Sequence, residues 1–393
     1  MEVNQSTLKV LILTADAGFG HRSAAKAVAE ALHIKYGSAV ESNIVNPLDS
    51  DQAPFFLRDS QEDYDQWVQQ VPELYKLVYE ASDRRIPTRI MEDSLGVLLY
   101  DAIEETFEGN KYDVVLNTYP LYQAAITRFF RHQKKRIPVF TVITDLATVH
   151  GLWFHKKVNG CLVPTDIVAK MAISNEIPEK KVHITGIPVY PDICLETRDQ
   201  QEIRESLNWQ TGITTILAVG SRRSKQLSEM LNVVNHFGAN LQLVVVTGKN
   251  EAMYQLLQGI DWHISVHLFD YVDNMPSLMK ASDMIICKAG GLIVTESLAC
   301  GLPLILTDII PGQETGNADY VESAKAGVVV NSQMELLESL QHFLMNDQAM
   351  LKQYTENARA IGRPKSAFEV AKILWDSVRG QQVDDDPTAA DLH

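Results

Sequence analysis

Short runs of β-branched and other apolar residues recur along the chain and alternate with stretches of helical apolar spacing, the pattern of parallel sheets built from strand–helix–strand units. In the first half the predicted strands are Leu8–Thr14, Ala39–Asn46, Tyr112–Asn117, Ile137–Thr144, Val158–Val163 and Val182–Thr185. In the second they are Ile213–Val219, Leu241–Thr247, His263–Phe269, Asp283–Cys287, Leu302–Leu306 and Gly327–Val330. Six and six predicts an α/β protein of two doubly wound, Rossmann-like domains facing a cleft. The segment GIPVYPDICLETRDQQ from Gly186 carries two prolines and then polar and charged residues, and reads as the linker. With the boundary near Asp192, the domains span 1–191 and 192–380. Ala367, Val370, Ile373, Leu374 and Val378 predict a last helix. In two-domain α/β proteins such a helix often packs back across the cleft, a placement that spacing alone does not fix. Residues 381–393 are acidic, polar and proline-containing, and are expected to be disordered.

The length of 393 residues suits two domains, and 46% hydrophobic with 22% charged residues excludes fibrous, low-complexity and wholly disordered classes. A net charge of −15 argues against nucleic acid as the main partner. It is unevenly spread: residues 1–190 hold 20 basic and 24 acidic side chains, residues 191–393 hold 15 and 26. Cys161, Cys194, Cys287 and Cys300 are scattered without a CxxC, which suggests neither a disulfide framework nor a zinc site and points to a reducing compartment. The N-terminus does not read as a signal peptide, and no stretch approaches the roughly 18 apolar residues of a spanning helix. The expected location is cytoplasmic, peripheral on the inner face of the cell membrane.

Ligands of doubly wound sheets bind beyond the carboxyl ends of the strands, so the strand-to-helix loops carry the candidate chemistry. After the first strand, ADAGFGHRSAAKAVAEAL runs two glycines into an alanine-rich helix. Gly18 and Gly20 match half of a dinucleotide fingerprint, whose third glycine is replaced by Ser23. His21 falls in the first helical turn, where the positive end of the helix disfavours imidazolium and leaves a ring able to accept a proton. A capping or merely exposed histidine is the bland alternative. In the second half, Lys288-Ala-Gly290-Gly291 ends a strand and opens a helix near Leu292, offering backbone donors to a diphosphate. Glu296, one turn in, suits the two hydroxyls of a ribose. Gln313, Glu314 and Asn317 follow the next strand in a polar loop suited to sugar hydroxyls. Singly, each of these has an ordinary reading as a solvated or capping residue; their order gives the combination its meaning.

The segment KAGGLIVTESLACGLP with PGQETGN resembles the donor-binding signature of GT-B glycosyltransferases of family 28, and LTADAGFGHRSAAKAVAEAL resembles their acceptor-side loop. Within that family, GHRSAAKA, TDLATVHGLWFHKKVNGCLVPTDIVAKMAI and TGIPV are most similar to the diacylglycerol galactosyl- and glucosyltransferases, including monogalactosyldiacylglycerol synthases. The resemblance implies an inverting hexosyltransferase that uses UDP-galactose or UDP-glucose, a diacylglycerol acceptor and no further obligatory cofactor. It makes His21 the general base. It places Gly20 and the backbone of Tyr271 and Val272 around the donor nucleotide, Gly290, Gly291, Leu292 and Ile293 along the diphosphate, Glu296 on the ribose, and Gln313, Glu314 and Asn317 on the hexose. Asp145, Trp153 and His155 fall in the motif that matches the acceptor region. One loop departs from the family pattern: Ala218-Val-Gly220-Ser221-Arg222-Arg223 has a single glycine, so Ser221 and the Arg222 or Arg223 fork partly replace backbone cradling of phosphate.

No acidic metal pair stands at a strand end, and a helix dipole with an arginine serves the leaving diphosphate without an obligatory metal. For an anionic membrane surface the sequence offers two candidates. One is Arg128-Phe129-Phe130-Arg131-His132-Gln133-Lys134-Lys135-Arg136, which interleaves aromatics with cations; the other is Tyr75, Leu77, Val78 and Tyr79 with Arg84, Arg85 and Arg89. Three other functions stay open at this level: an N-acetylglucosaminyltransferase acting on a polyprenyl-linked acceptor, a UDP-sugar epimerase, and a UDP-sugar-binding protein without catalysis.

Overall fold

The computed structural model describes residues 7–17, 20–55, 57–58, 85–133, 136–221, 224, 226–310, 312 and 314–380, with side chains at 85–91 and 132 excepted. Of the sequence-level candidates, Arg222, Arg223, Gln313, Lys134, Lys135, Arg84, the Tyr75–Tyr79 group and the acidic tail lie outside the described residues.

All twelve predicted strands are present, in two parallel six-stranded sheets. The first contains β1 (Leu8–Leu13), β2 (Val40–Val45), β3 (Val114–Asn117), β4 (Val139–Val142), β5 (Gly160–Val163) and β6 (Val182–Ile184) in the order β2-β1-β3-β4-β5-β6. The second contains β7 (Thr214–Val219), β8 (Leu241–Val246), β9 (Ser265–Phe269), β10 (Met284–Cys287), β11 (Leu304–Leu306) and β12 (Gly327–Val329) in the order β12-β11-β10-β7-β8-β9. Strand order therefore reverses between β1 and β3 in one sheet and between β7 and β10 in the other, which opens the loops there into a crevice.

The described helices of the first half are α1 (Gly20–Tyr36), α2 (Arg85–Leu98), α3 (Tyr100–Phe107), α4 (Gln123–His132) and α5 (Asp166–Ser174). The linker segment carries α6 (Asp192–Leu195) and leads into α7 (Gln200–Ser206). The second half adds α8 (Leu227–Asn235), α9 (Glu251–Gln258), α10 (Met275–Lys280), α11 (Gly291–Ala299), α12 (Thr315–Ser323), α13 (Gln333–Leu344), α14 (Ala349–Ile361) and α15 (Ser366–Arg379). β3 and β4 are buried along their whole length, and β1 in all but Lys9, because helices cover each side of the sheet.

The chain end returns to the first sheet. Ala367, Val370, Ala371, Leu374 and Trp375 of α15 are buried in one cluster with Leu8, Val10, Ile12, Val28 and Leu32. The crossing point is Gly186, at φ +83°, where a Cβ would stand 2.7 Å from Cβ of Arg363. One step on, Ser366 Oγ accepts the Val189 N–H at 3.1 Å. Trp375 stacks flat on Tyr36 of α1, with ring centroids 4.0 Å apart. Trp375→Ala is expected to destabilise the fold by about 3 kcal/mol, read as a lower denaturant midpoint; an unchanged midpoint would show that α15 contributes little to holding the first sheet.

Candidate functional site

The acceptor-side loop is built where β1 and β3 part. Thr118, the residue after β3, donates from Oγ1 to the Leu13 carbonyl at 3.1 Å and the His21 carbonyl at 3.3 Å, which ties the first turn of α1 to both strand ends. Before it, Arg22 forks onto Asp16, with Nη2 2.6 Å from Oδ2. Asn46 donates to Asp49 at 2.7 Å and accepts from the Tyr122 hydroxyl at 2.9 Å, so the segments after β2 and β3 are tied together.

His21 projects from this frame. Its ring meets Tyr119 edge-on at 5.0 Å and lies 5.9 Å from Trp153, and its Nδ1 is 2.7 Å from Oγ1 of Thr144. Burial among these groups lowers its pKa to about 4, against a smaller raising effect of a hydrogen bond between the ring and the Thr118 backbone. The ring is thus neutral at pH 7, as the sequence predicts, with burial as the leading cause.

Asp145 and Trp153 belong to the same wall: the indole Nε1–H donates to Asp145 Oδ2 at 2.7 Å, and burial raises the Asp145 pKa to about 6. His155 does not join them. Its Nδ1 lies 3.3 Å from Thr127 Oγ1 on α4, and its pKa falls to about 4 through burial and then the charges of Lys157, Lys156 and Arg131. The interleaved aromatics of the basic stretch also turn inward. Phe129 and Phe130 are core residues packed on Phe107, while Arg128 and Arg131 face solvent, because the helix period buries one side of α4.

At the second sheet the loop after β7 is anchored on both flanks. The Ser221 N–H donates to Ser224 Oγ at 3.0 Å, and the Ser221 carbonyl accepts from Asn250 Nδ2 at 3.0 Å. Gly220 fits because a Cβ there would stand 3.0 Å from the Met253 sulfur, and Gly248, at φ +67°, would place a Cβ 2.5 Å from the Gly220 carbonyl oxygen. Tyr271 is exposed, with the Lys249 ammonium 4.5 Å from its ring centroid, while Val272 packs toward the core.

α11 begins at Gly291, one residue before the predicted start, and no side chain caps it and no acidic residue occupies its first turn. Its first N–H groups and positive dipole end are therefore available to an anion. Leu292 and Ile293 occupy that first turn and are partly buried. Glu296 lies one turn on, 6% exposed, makes no hydrogen bond to the described residues, and has its pKa raised to about 8 by burial. Tyr190 of the linker segment approaches it: its hydroxyl bonds Ser23 of α1, and its ionisation is opposed by burial and by Glu296, Glu30 and Tyr271.

The polar loop after β11 is partly tied down by internal hydrogen bonds. Glu314 is occupied on both oxygens, accepting from Lys288 Nζ at 3.1 Å and from the Ile310 N–H at 3.1 Å. Asn317 donates to the Ala289 carbonyl at 2.9 Å. Both residues hold the β10–α11 turn in shape.

Besides α15, the loop after β4 brings the halves together, and Ala24, Leu146 and Ile187 join the core of the second half. A Cβ on Gly291 would lie 3.2 Å from the Thr144 carbonyl oxygen, and one on Gly316 of α12 would lie 2.1 Å from Thr148 Oγ1. Thr144, Thr118, Tyr190 and Lys288 were not singled out from sequence; the position of Thr144 at the end of a predicted strand was the available signal. The four cysteines are free, and no group of three metal-ligating side chains occurs among the described residues.

The family model for monogalactosyldiacylglycerol (MGDG) synthase matches residues 21–189, and that for the glycosyltransferase family 28 C-terminal domain matches residues 214–373. The probable monogalactosyldiacylglycerol synthase 3, chloroplastic, of Oryza sativa subsp. japonica is 30% identical over 385 residues, covering 95% of this chain and 75% of its own. The chain belongs to the monogalactosyldiacylglycerol synthase family. Monogalactosyldiacylglycerol synthase 2, chloroplastic, of Arabidopsis thaliana is likewise 30% identical over 380 residues, covering 94% of this chain and 81% of its own. Among solved structures, Acinetobacter baumannii MurG superposes with a TM-score of 0.60 at 17% identity, covering 94% of this chain and 99% of its own, and shows the shared GT-B fold. This member of the synthase family is thus a glycosyltransferase of family 28, and the kinship runs through both halves, which leaves the epimerase and binding-only readings without support. No described helix is long and apolar enough to cross a membrane.

Proposed function

We propose that the protein transfers galactose from UDP-galactose to diacylglycerol with inversion at the anomeric carbon. The observation that carries this reading is kinship to monogalactosyldiacylglycerol synthases over 95% of the chain, with His21 and the uncapped end of α11 joined through Thr144. Residues up to the linker then form the acceptor-binding domain with the catalytic base, and those after it the donor domain. His21 Nε2 takes the proton of the attacking glycerolipid hydroxyl as its oxygen bonds the anomeric carbon. The bond from that carbon to the diphosphate breaks, and UDP leaves with the electron pair, its charge received by the N–H groups of α11 at Gly291, Leu292 and Ile293. Glu296 accepts the ribose hydroxyls, the backbone of Tyr271 and Val272 borders the uracil, and Gly20, Gly220 and Ser221, with Arg222, border the phosphates. Gln313, Glu314 and Asn317 take the hexose, with Glu314 also bonded to Lys288. Asp145 and Trp153 wall the acceptor side.

Offering UDP-galactose, UDP-glucose and UDP-N-acetylglucosamine separately with diacylglycerol micelles tests the reading. Preferential formation of a galactosyl lipid is expected; transfer of N-acetylglucosamine alone, or no lipid product, overturns it.

The acceptor lies in a bilayer, and the face that would meet it carries exposed Arg128, Arg131, Arg136, Lys156 and Lys157 beside exposed Val97 and Leu98. Cations over apolar tips suit peripheral binding to an anionic surface. Charge reversal of Arg128, Arg131 and Lys157 to glutamate is expected to abolish flotation with anionic liposomes; unchanged flotation would remove this face from the account.

A further inference from the structure

We propose that Thr144 is a positioning residue that fixes the tautomer and direction of the His21 ring and registers it against the donor helix. The inference rests on His21 being the base. Nδ1 of His21 is 2.7 Å from Thr144 Oγ1, and Thr144 is the sole described side chain whose polar atom reaches a nitrogen of that ring. Of the neighbouring polar groups, the Thr118 backbone also bonds the ring, while Thr118 Oγ1 is committed to the Leu13 and His21 carbonyls and Asp145 to the Trp153 indole.

A neutral imidazole carries one N–H, and the nitrogen bonded to a fixed partner decides which. If Nδ1–H donates to Thr144 Oγ1, Nε2 is left with the lone pair that general-base action needs. If the hydroxyl donates instead, Nε2 is protonated and the ring is silent as a base. Threonine is stiff at χ1, so its hydroxyl direction is set by the backbone at the end of β4. That same backbone stands against α11, the Thr144 carbonyl oxygen lying 3.2 Å from where a Cβ on Gly291 would sit. Thr144 thus meets the base with its side chain and lies beside the start of the diphosphate helix with its backbone.

Thr144→Val keeps shape and χ1 preference while removing the hydrogen bond; Thr144→Ser keeps the hydroxyl. The valine variant is expected to lose kcat by at least about tenfold, with KM for UDP-galactose unchanged, and the serine variant to retain most of kcat. In protein labelled with ¹⁵N-histidine, long-range ¹H–¹⁵N spectra are expected to show His21 as the Nδ1–H tautomer in the native chain and in Thr144→Ser, and a shift toward Nε2–H in Thr144→Val. Full kcat in the valine variant, a serine variant as impaired as valine, or an Nε2–H ring in the native chain would overturn the proposal. Should the native chain transfer no sugar at all, the functional reading fails, while the spectra still decide the tautomer on their own.

Discussion

His21→Ala is expected to lower kcat by about 10²- to 10⁴-fold, the usual contribution of one positioned general base, while leaving KM for UDP-galactose unchanged. The ring packs on Tyr119 and Trp153 of the acceptor wall, and the donor contact assigned to its loop is the Gly20 backbone, so loss of the ring should not be felt in donor affinity. Its pKa of about 4 sets the acid limb: kcat at saturating UDP-galactose should lack the fall between about pH 7 and 6 that an ordinary histidine produces, and decline only on approaching pH 4. The same shift has a sign for stability. Between its ordinary 6.5 and about 4 the unfolded chain binds a proton at this position and the folded protein does not, so the His21 contribution to stability is present above that window and is lost as pH falls through it. His21→Ala should flatten that part of the stability profile. A variant with normal kcat would remove His21 from the chemistry.

Glu296→Ala should act on the other substrate. Hydrogen bonds to a charged group contribute about 1.5–3 kcal/mol each, so losing even one from the ribose raises KM for UDP-galactose by at least about tenfold, with a smaller change in kcat. Burial raises the Glu296 pKa to about 8, and the neutral acid is a poorer acceptor for hydroxyls than the carboxylate. Donor affinity is therefore expected to improve as pH rises through about 8, with a proton released on binding, and Glu296→Gln should abolish this dependence while leaving a pH-independent, weaker affinity. In the free protein the sign for folding is opposite to that of His21. The folded state keeps a proton that the unfolded chain releases above about 4.5, so this position lowers stability progressively as pH rises from there toward 8. An unchanged KM in Glu296→Ala would take the ribose off this helix.

The strands were legible because parallel sheets covered on both faces need continuous apolar, β-branched runs, and such runs are visible in sequence. The ends were less so. The run Ile137–Thr144 extends beyond β4, Val139–Val142, since Ile143 and Thr144 continue the apolar and β-branched pattern after the ladder has ended. That overshoot holds site residues. His21 and Glu296 could be read from their place in a helix's first turns, a local feature. Thr144 could not, because its role depends on a partner 123 residues away. The Lys288 partner of Glu314 was hidden for the same reason, because it lies 26 residues earlier in the chain. Phe129 and Phe130 looked interfacial between arginines, but a helix turns them to the opposite side from the charges.

The most direct test of a single displacement driven by His21 is the configuration of the glycolipid made from UDP-galactose and diacylglycerol, read from the anomeric proton coupling of the purified product. The donor is an α-glycoside, so the account predicts a β-galactosyl lipid formed by the native chain and almost none by His21→Ala. An α-linked product, or a β-linked product formed equally well by His21→Ala, would contradict it.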